Sequence, residues 1–203
     1  MTRFVLATAN PAKAAEIDAV LGAVAAAIEL IARPADVGEI AETGATLEEN
    51  ARLKATALCD ATGLPAIADD TGLEVDALGG APGVCSARYA GADSDDAANV
   101  DKLLSALRGV PPAQRVARFR TVAIARWPDG VEVAALGTVE GTIAEHPKGR
   151  GGFGYDPVFV PGGGDGPTFA QMTAAEKHAR SHRGDAFRTL AHGVALVVGA
   201  EGL

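Results

Sequence analysis

The sequence predicts a mixed α/β fold, and three observations predict it. Short apolar runs alternate with capped, amphipathic segments in the N-terminal third of the chain. A long alternating hairpin follows the middle, so the pattern is not a regular β-α-β-α alternation. The 203 residues are 48% apolar and 22% charged, an ordinary globular composition that can bury its own core. The expected architecture is one domain spanning residues 1–203, with a twisted mixed β-sheet and helices on its faces.

The elements follow in order. Arg3 to Ala7 is a short apolar run and reads as a buried strand. Asn10 is a good N-cap and Pro11 suits the first helical position, with apolar spacing continuing at Ile17, Val20 and Leu21. Ile28 to Ala32 is a second strand, followed by a loop through Pro34 and Gly38 to Gly44. Thr46 to Glu49 has capping-box spacing and opens a helix to about Leu58, closed by Gly63 and Pro65. Pro65 to Asp69 is a short buried strand, and Gly72 to Val84 is loop-rich and half extended. Ser94 to Leu107 reads as a helix with acids in its first turn. Ala117 to Trp127 and Val131 to Thr142 form a hairpin about Pro128-Asp129-Gly130. Gly149 to Gly166 is too glycine-rich for regular structure, apart from a short strand at Pro157 to Val160. From Thr173 onward the chain reads as helical, with a break near Ser181 to Gly184 and a final apolar run that suits a strand or a helix tail.

Composition also excludes. A formal net charge of −8 argues against a nucleic-acid binder, which needs a basic face. Cys59 and Cys85 form no C-x-x-C and have no histidines at metal-ligand spacing, so buried or semi-buried thiols are expected. The N-terminal apolar run stops at Thr8, too short for a signal peptide, and no stretch approaches the ~18 apolar residues of a membrane span. The expected compartment is the cytoplasm, with no membrane partner.

Four clusters carry groups suited to chemistry. The first is Thr8-Ala9-Asn10-Pro11-Ala12-Lys13, where a strand ends and a helix begins with a lysine in its first turn. Free N–H groups and the partial positive charge of a helix N-terminus suit a phosphate, although the pattern equally suits an ordinary capped helix. It is not a Walker A loop. The second is Asp69-Asp70-Thr71 at a strand end. Adjacent strand residues face opposite sides, so both carboxylates reach one site only if the chain turns, which Thr71-Gly72 would permit. Such acids suit Mg²⁺, which takes one or two carboxylates plus substrate phosphates, and Glu42 is a further metal acid. The third is the stretch Gly151 to Pro157. Phe153 and Tyr155 either stack on a nucleobase or fill the core, Gly154 lets a ligand approach the backbone, and Asp156 can accept from ring N–H groups. The fourth is Lys177 with Ser181-His182-Arg183. Lys177 can reach a phosphate or a ring, and Arg183 can donate to a carbonyl oxygen. Together these groups suggest a nucleoside triphosphate site.

The chain resembles the inosine triphosphate pyrophosphatase family, which cleaves non-standard purine nucleoside triphosphates (dITP, ITP, XTP) to monophosphate and pyrophosphate. The motifs that carry the resemblance are "LATANPAK", "ETGATLEENARLKA", "PAIADDTGLEVDALGGAPGVCSARYAG", "GGFGYDPVF" and "AEKHARSHR", in order along the chain. The resemblance implies an elongated, two-lobed α/β fold with a central nucleotide-binding cleft, Mg²⁺ dependence and a homodimer. It further implies that Thr8, Ala9, Asn10, Pro11, Ala12 and Lys13 form the triphosphate loop. Asp70 matches the proton acceptor and Mg²⁺ ligand, and Glu42 the second metal acid. Thr71 matches a substrate-contacting hydroxyl, more often serine in the family. Phe153, Gly154, Tyr155 and Asp156 match the base-binding loop, and Lys177, His182 and Arg183 the remaining substrate contacts. Ala12, Ala41, Cys85 and Gln171 depart from the family pattern. Ala41 leaves Glu42 the sole acid just before Thr43-Gly44, and Glu39 could substitute for it.

Overall fold

The computed structural model describes residues 2–25, 28–92 and 95–200. In chain order the elements are β1 (Thr2–Leu6), α1 (Pro11–Val24), β2 (Ile28–Ile31), α2 (Leu47–Thr62), β3 (Ala66–Val75), β4 (Pro82–Gly83), α3 (Asp96–Ala106), β5 (Val116–Arg126), β6 (Glu132–Ile143), β7 (Phe159–Pro161), α4 (Ala174–Arg180) and α5 (His182–Ala200). The strands form one mixed sheet in the order β2-β1-β3-β5-β6-β7, with β4 beside β3. β1 pairs in parallel with both β2 and β3, while β4 and β7 pair antiparallel with β3 and β6. This is the mixed α/β fold that the sequence predicts.

Local chemistry sets the helix ends. The Asn10 side chain accepts from the amides of Ala12 (2.9 Å) and Lys13 (3.2 Å), and Pro11 supplies the fixed φ of the first turn. Thr46 and Glu49 close a reciprocal capping box on α2. Gly63 ends α2 in the left-handed conformation, at φ 65°, which a side chain would strain.

Several boundaries differ from expectation. α2 runs on to Thr62, because its apolar stripe continues through Leu58 and Cys59 to the Gly63 cap. Ser94, the expected start of α3, lies outside the described residues; the helix begins at Asp96, capped by the Asp95 side chain. The break before α5 is confined to Ser181, which is extended at φ −80° and ψ 153°. The final apolar run is the tail of α5, not a strand. Cys59 is buried as expected, but Cys85 is exposed, because it sits on the irregular chain after β4. No described helix is long and apolar enough to cross a membrane.

The largest difference is β3. Its ten residues run straight through Asp69-Asp70-Thr71-Gly72, whereas the strand was expected to end at Asp69, with a turn permitted at Thr71-Gly72. Burial of residues on both sides of the strand outweighs the turn tendency of Asp and Gly.

The chain divides into two compact units, residues 1–70, 121–137 and 183–203, and residues 71–120 and 138–182. In the first unit, strand periodicity sorts the core into two clusters. Phe4, Leu6, Ile67, Ala123 and Ala125 pack with Ile17 and Leu21 of α1 and with Phe187 and Leu190 of α5. Val5, Ala66, Ala68 and Ile124 pack with Ala51, Ala55 and Leu58 of α2. Alternate residues of β1, β3 and β5 therefore face α1 and α5, or α2. In the second unit one cluster joins Leu73, Val75, Phe119, Ile143 and Phe159 to Val100 and Leu103 of α3, and takes in Tyr155 and Phe169.

Candidate active site

The two-residue period of β3 decides where the two acids point. Asp70 shares a face with Ala66 and Ala68 and so meets α2. Its Oδ1 accepts from Lys54 Nζ at 3.0 Å and its Oδ2 from Asn50 Nδ2 at 3.2 Å. The same Lys54 ammonium lies 2.8 Å from Glu42 Oε1. Asn50 uses its other end to accept from the Gly44 amide at 2.8 Å, which pins the loop carrying Glu42 beside α2. A side chain at Gly44 would press on Glu49 Cβ at 2.6 Å and Asn50 Oδ1 at 2.8 Å, so the approach needs glycine. Glu39 lies exposed in the same loop, and Glu42 is the acid that reaches Lys54.

Asp69 shares the other face with Ile67 and meets α1 and α5. Its Oδ2 accepts from Arg183 Nε at 3.4 Å, and Arg183 Nη1 donates to Glu16 Oε2 of α1 at 2.6 Å. Arg183 is only 2% exposed, so both acids act on it out of water.

Position splits the acidities of these neighbouring carboxyls. Burial pushes Asp70 upward, Glu42 adds to the rise, and Lys54 opposes it without cancelling it. Burial would raise Asp69 as well, but Lys13, Arg183 and Lys54 overcome it and hold the group at about 2.

The Thr8 to Lys13 turn is self-capped. Thr8 Oγ1 accepts from the Asn10 amide at 3.1 Å, and Asn10 occupies the amides of Ala12 and Lys13. The first-turn N–H groups expected to meet a phosphate are therefore already bonded. What this turn offers an anion is the Lys13 ammonium, the Asn10 side-chain amide and the Thr8 hydroxyl hydrogen. Ala9, Asn10 and Pro11 are exposed, with Ala12 half-buried.

Glu42 and Asp70 suit a divalent metal. Both are hard oxygen donors, and a cationic group already lies between them in the form of the Lys54 ammonium. Among the described residues no group of three or more His, Cys, Asp or Glu gathers as a metal cage. Two carboxylates, with other ligands from substrate and water, is the pattern that Mg²⁺ favours.

In the second unit, Phe153 to Asp156 are gathered with Lys177. Asp156 Oδ2 accepts from the Phe153 amide at 2.9 Å and from Lys177 Nζ at 2.5 Å. Lys177 Nζ also lies 4.6 Å from the centre of the Phe153 ring. The His182 ring stacks on Phe119 with centroids 4.5 Å apart and planes at 19°. The two expected stacking rings part company. Phe153 is half-buried, whereas Tyr155 is packed in the core and its hydroxyl donates to the Ser86 carbonyl at 2.8 Å. Thr71, half-buried, follows Asp70 along β3.

With this geometry in place, comparison with known proteins decides the family. The model of the Ham1 family matches residues 4–193. The chain belongs to the Ham1 family. A dITP/XTP pyrophosphatase from Streptomyces avermitilis is 49% identical to it over 192 residues, covering 94% of this chain and 96% of the other. A dITP/XTP pyrophosphatase from Bacillus subtilis is 45% identical over 190 residues, covering 94% and 96%. Among solved structures, a HAM1 protein from Coxiella burnetii superposes with a TM-score of 0.85 at 39% identity, covering 96% of this chain and 99% of that one. The nucleoside-triphosphatase / dITP/XTP pyrophosphatase from Mycobacterium abscessus has a TM-score of 0.71 at 45% identity, covering 90% and 94%.

Two members of the Asp70 cluster in this Ham1 chain, Asn50 and Lys54, are absent from the candidates named above. A signal for them exists in the sequence. They stand four apart on α2, within the stripe of Ala51, Ala55 and Leu58 that turns inward. A lysine and an amide on a buried stripe require polar partners, and the partners are Asp70, Glu42 and the Gly44 amide.

Proposed function

We infer that this chain hydrolyses non-standard purine nucleoside triphosphates, dITP/ITP and XTP/dXTP, to the nucleoside monophosphate and pyrophosphate. This activity keeps deaminated purines out of DNA and RNA. The observation that carries the reading is near-full-length identity, 49% and 45%, to two relatives named dITP/XTP pyrophosphatase.

Within that reading, Glu42 and Asp70 are the residues that would hold Mg²⁺. When bound, the ion supplies neutralisation of phosphate charge and Lewis acidity. Asp70 accepts a proton from the water that attacks the α-phosphorus. Burial raises its affinity for a proton, which supports this role. Lys13, Asn10 and Thr8 hold the triphosphate and offset the charge that gathers on departing pyrophosphate. Thr71 adds a hydroxyl donor to the substrate. Phe153 stacks on the base, and Gly154 to Asp156 with Lys177 shape its surroundings. Arg183 and His182 donate to the oxygen at C6 of hypoxanthine or xanthine. Adenine carries an amino donor there, and two facing donors leave buried groups unpaired, a mismatch that discriminates strongly. The family resemblance also supports a homodimer working in the cytoplasm.

The test is product identification. With Mg²⁺, ITP should give IMP and pyrophosphate in one step, with ITP and XTP preferred over ATP in a substrate panel. Accumulation of IDP with orthophosphate would refute attack at the α-phosphorus.

A further inference from the structure

The loop that carries Phe153 does not fix its own shape. Gly149, Gly152 and Gly154 all have positive φ, at 86°, 71° and 60°. Glycine takes either sign of φ at little cost, so the path of this loop is set by the groups that bond its amides and carbonyls.

One peptide matters most, the one joining Phe153 to Gly154. Its N–H donates to Asp96 Oδ2 at 2.7 Å. Its C=O accepts from the Asp156 amide at 3.2 Å. In a planar trans peptide these two groups point opposite ways, so the plane is held at both ends. The bond to Asp96 ties the Phe153–Gly154 stretch to α3, and the positive-φ glycines on either side, Gly152 and Gly154, leave the stretch free to shift when that tie is lost. Loss of the tie would let that stretch move away from α3 and carry with it the Phe153 ring, whose centre lies 4.6 Å from the Lys177 ammonium.

Asp96 is separated from Gly154 by 58 positions and stands in the first turn of α3. The helix does not need it as a cap, because Asp95 Oδ1 already accepts from the Ala98 amide at 2.8 Å. We propose that Asp96 is a positioning residue for base recognition: its carboxylate fixes the Phe153–Gly154 peptide and thereby aims the Phe153 ring. The proposal rests on the reading of Phe153 to Asp156 as the base-holding loop.

The bond is charge-assisted but solvent-exposed, so its loss should weaken recognition about tenfold, less than for a buried pair. The test compares Asp96→Ala, Asp96→Asn and Phe153→Ala on ITP and on ribose 5′-triphosphate, which has no base. Hydrogen exchange at the Gly154 amide is followed alongside.

Asp96→Ala should raise KM for ITP about tenfold and leave kcat within about twofold. It should leave the base-free triphosphate unaffected and speed Gly154 exchange. Asp96→Asn still offers an amide oxygen as acceptor, so its KM should stay within about threefold of the natural protein. An equal loss on both substrates, or a fall in kcat alone, would overturn the proposal. So would failure of Asp96→Asn to rescue. If Phe153→Ala impairs ITP while Asp96→Ala does not, the positioning role fails and the base-holding loop stands. If Phe153→Ala leaves the ratio of ITP to base-free turnover unchanged, the base-holding loop itself fails.

Discussion

Lys54→Met tests the charge arrangement around Asp70 without relying on turnover. Methionine keeps the length of the side chain and removes the ammonium that lies 2.8 Å from Glu42 and 3.0 Å from Asp70. Two carboxylate oxygens that had shared one nitrogen are left facing each other, and at the separations those two contacts allow they repel by about 3 kcal/mol at an effective dielectric of about 20. Their attraction to the lysine is lost as well, but protonation of one acid limits the total. A net destabilisation of about 3 kcal/mol at pH 7 is expected, within the range for a broken buried pair. In urea this moves the midpoint down by about 1–2 M. Burial already raises Asp70 from its ordinary value, and loss of the opposing Lys54 charge would raise it further in the variant. A group whose folded pKa is raised loses its contribution as pH rises through the folded value. The variant should therefore be closer to the natural protein at pH 5 than at pH 7. Mg²⁺ should stabilise it more than it stabilises the natural protein, because a divalent cation restores positive charge between Glu42 and Asp70. A midpoint equal to that of the natural protein at pH 7 would refute the electrostatic account. Equal Mg²⁺ shifts in the two proteins would refute the assignment of metal to these two acids.

Two further outcomes follow from the same strand. Asp70→Asn should lower kcat by about a hundredfold or more while the far-ultraviolet spectrum is kept, since the amide retains size but not basicity; near-normal turnover would remove Asp70 from the chemistry. Asp69, held at about 2 against an ordinary 3.8, contributes stability that is present above the ordinary value and lost as pH falls toward 2. That contribution is about 2 kcal/mol, so Asp69→Asn should flatten the acid limb of a urea-midpoint profile between roughly pH 4 and pH 2. An unchanged acid limb would show that Asp69 is not held ionised by its cationic neighbours.

Legibility in the sequence follows the range of the interaction. Asn10-Pro11 and Thr46 with Glu49 act over three or four residues, and both helix starts stand where those residues place them. The alternation of Ala117 to Trp127 likewise yields β5 and its hairpin with β6. The continuation of β3 through Asp-Asp-Thr-Gly was not legible, because local turn propensity is overruled by burial on both faces of the strand. Within the candidate site, the acids and the aromatic loop were visible as residue types. Their division of labour was not. Tyr155 looks like Phe153 in the sequence, yet a hydrogen bond to Ser86, 69 positions away, commits it to the core. Lys54 looks like any lysine of a charged helix until its face of α2 is known.

The strand period also explains why one of two adjacent acids is the better base. Had the chain turned at Thr71-Gly72, Asp69 and Asp70 could have shared the same surroundings. Because it stays extended, each side chain enters a different layer. Asp69 enters the layer of α1 and α5 and meets Arg183, itself tied to Glu16. A carboxylate held at about 2 binds a proton roughly a hundredfold more weakly than an ordinary one, and so accepts a proton from water poorly. Asp70 enters the layer of α2, where burial and Glu42 outweigh Lys54 and raise its affinity for a proton. The alternation of a single strand thus leaves one acid fixed as the counter-charge of an arginine and the next able to take up a proton. Exchanging the two roles would require moving both Lys54 and Arg183, which lie on different helices, so neither substitution alone should make Asp69 the base.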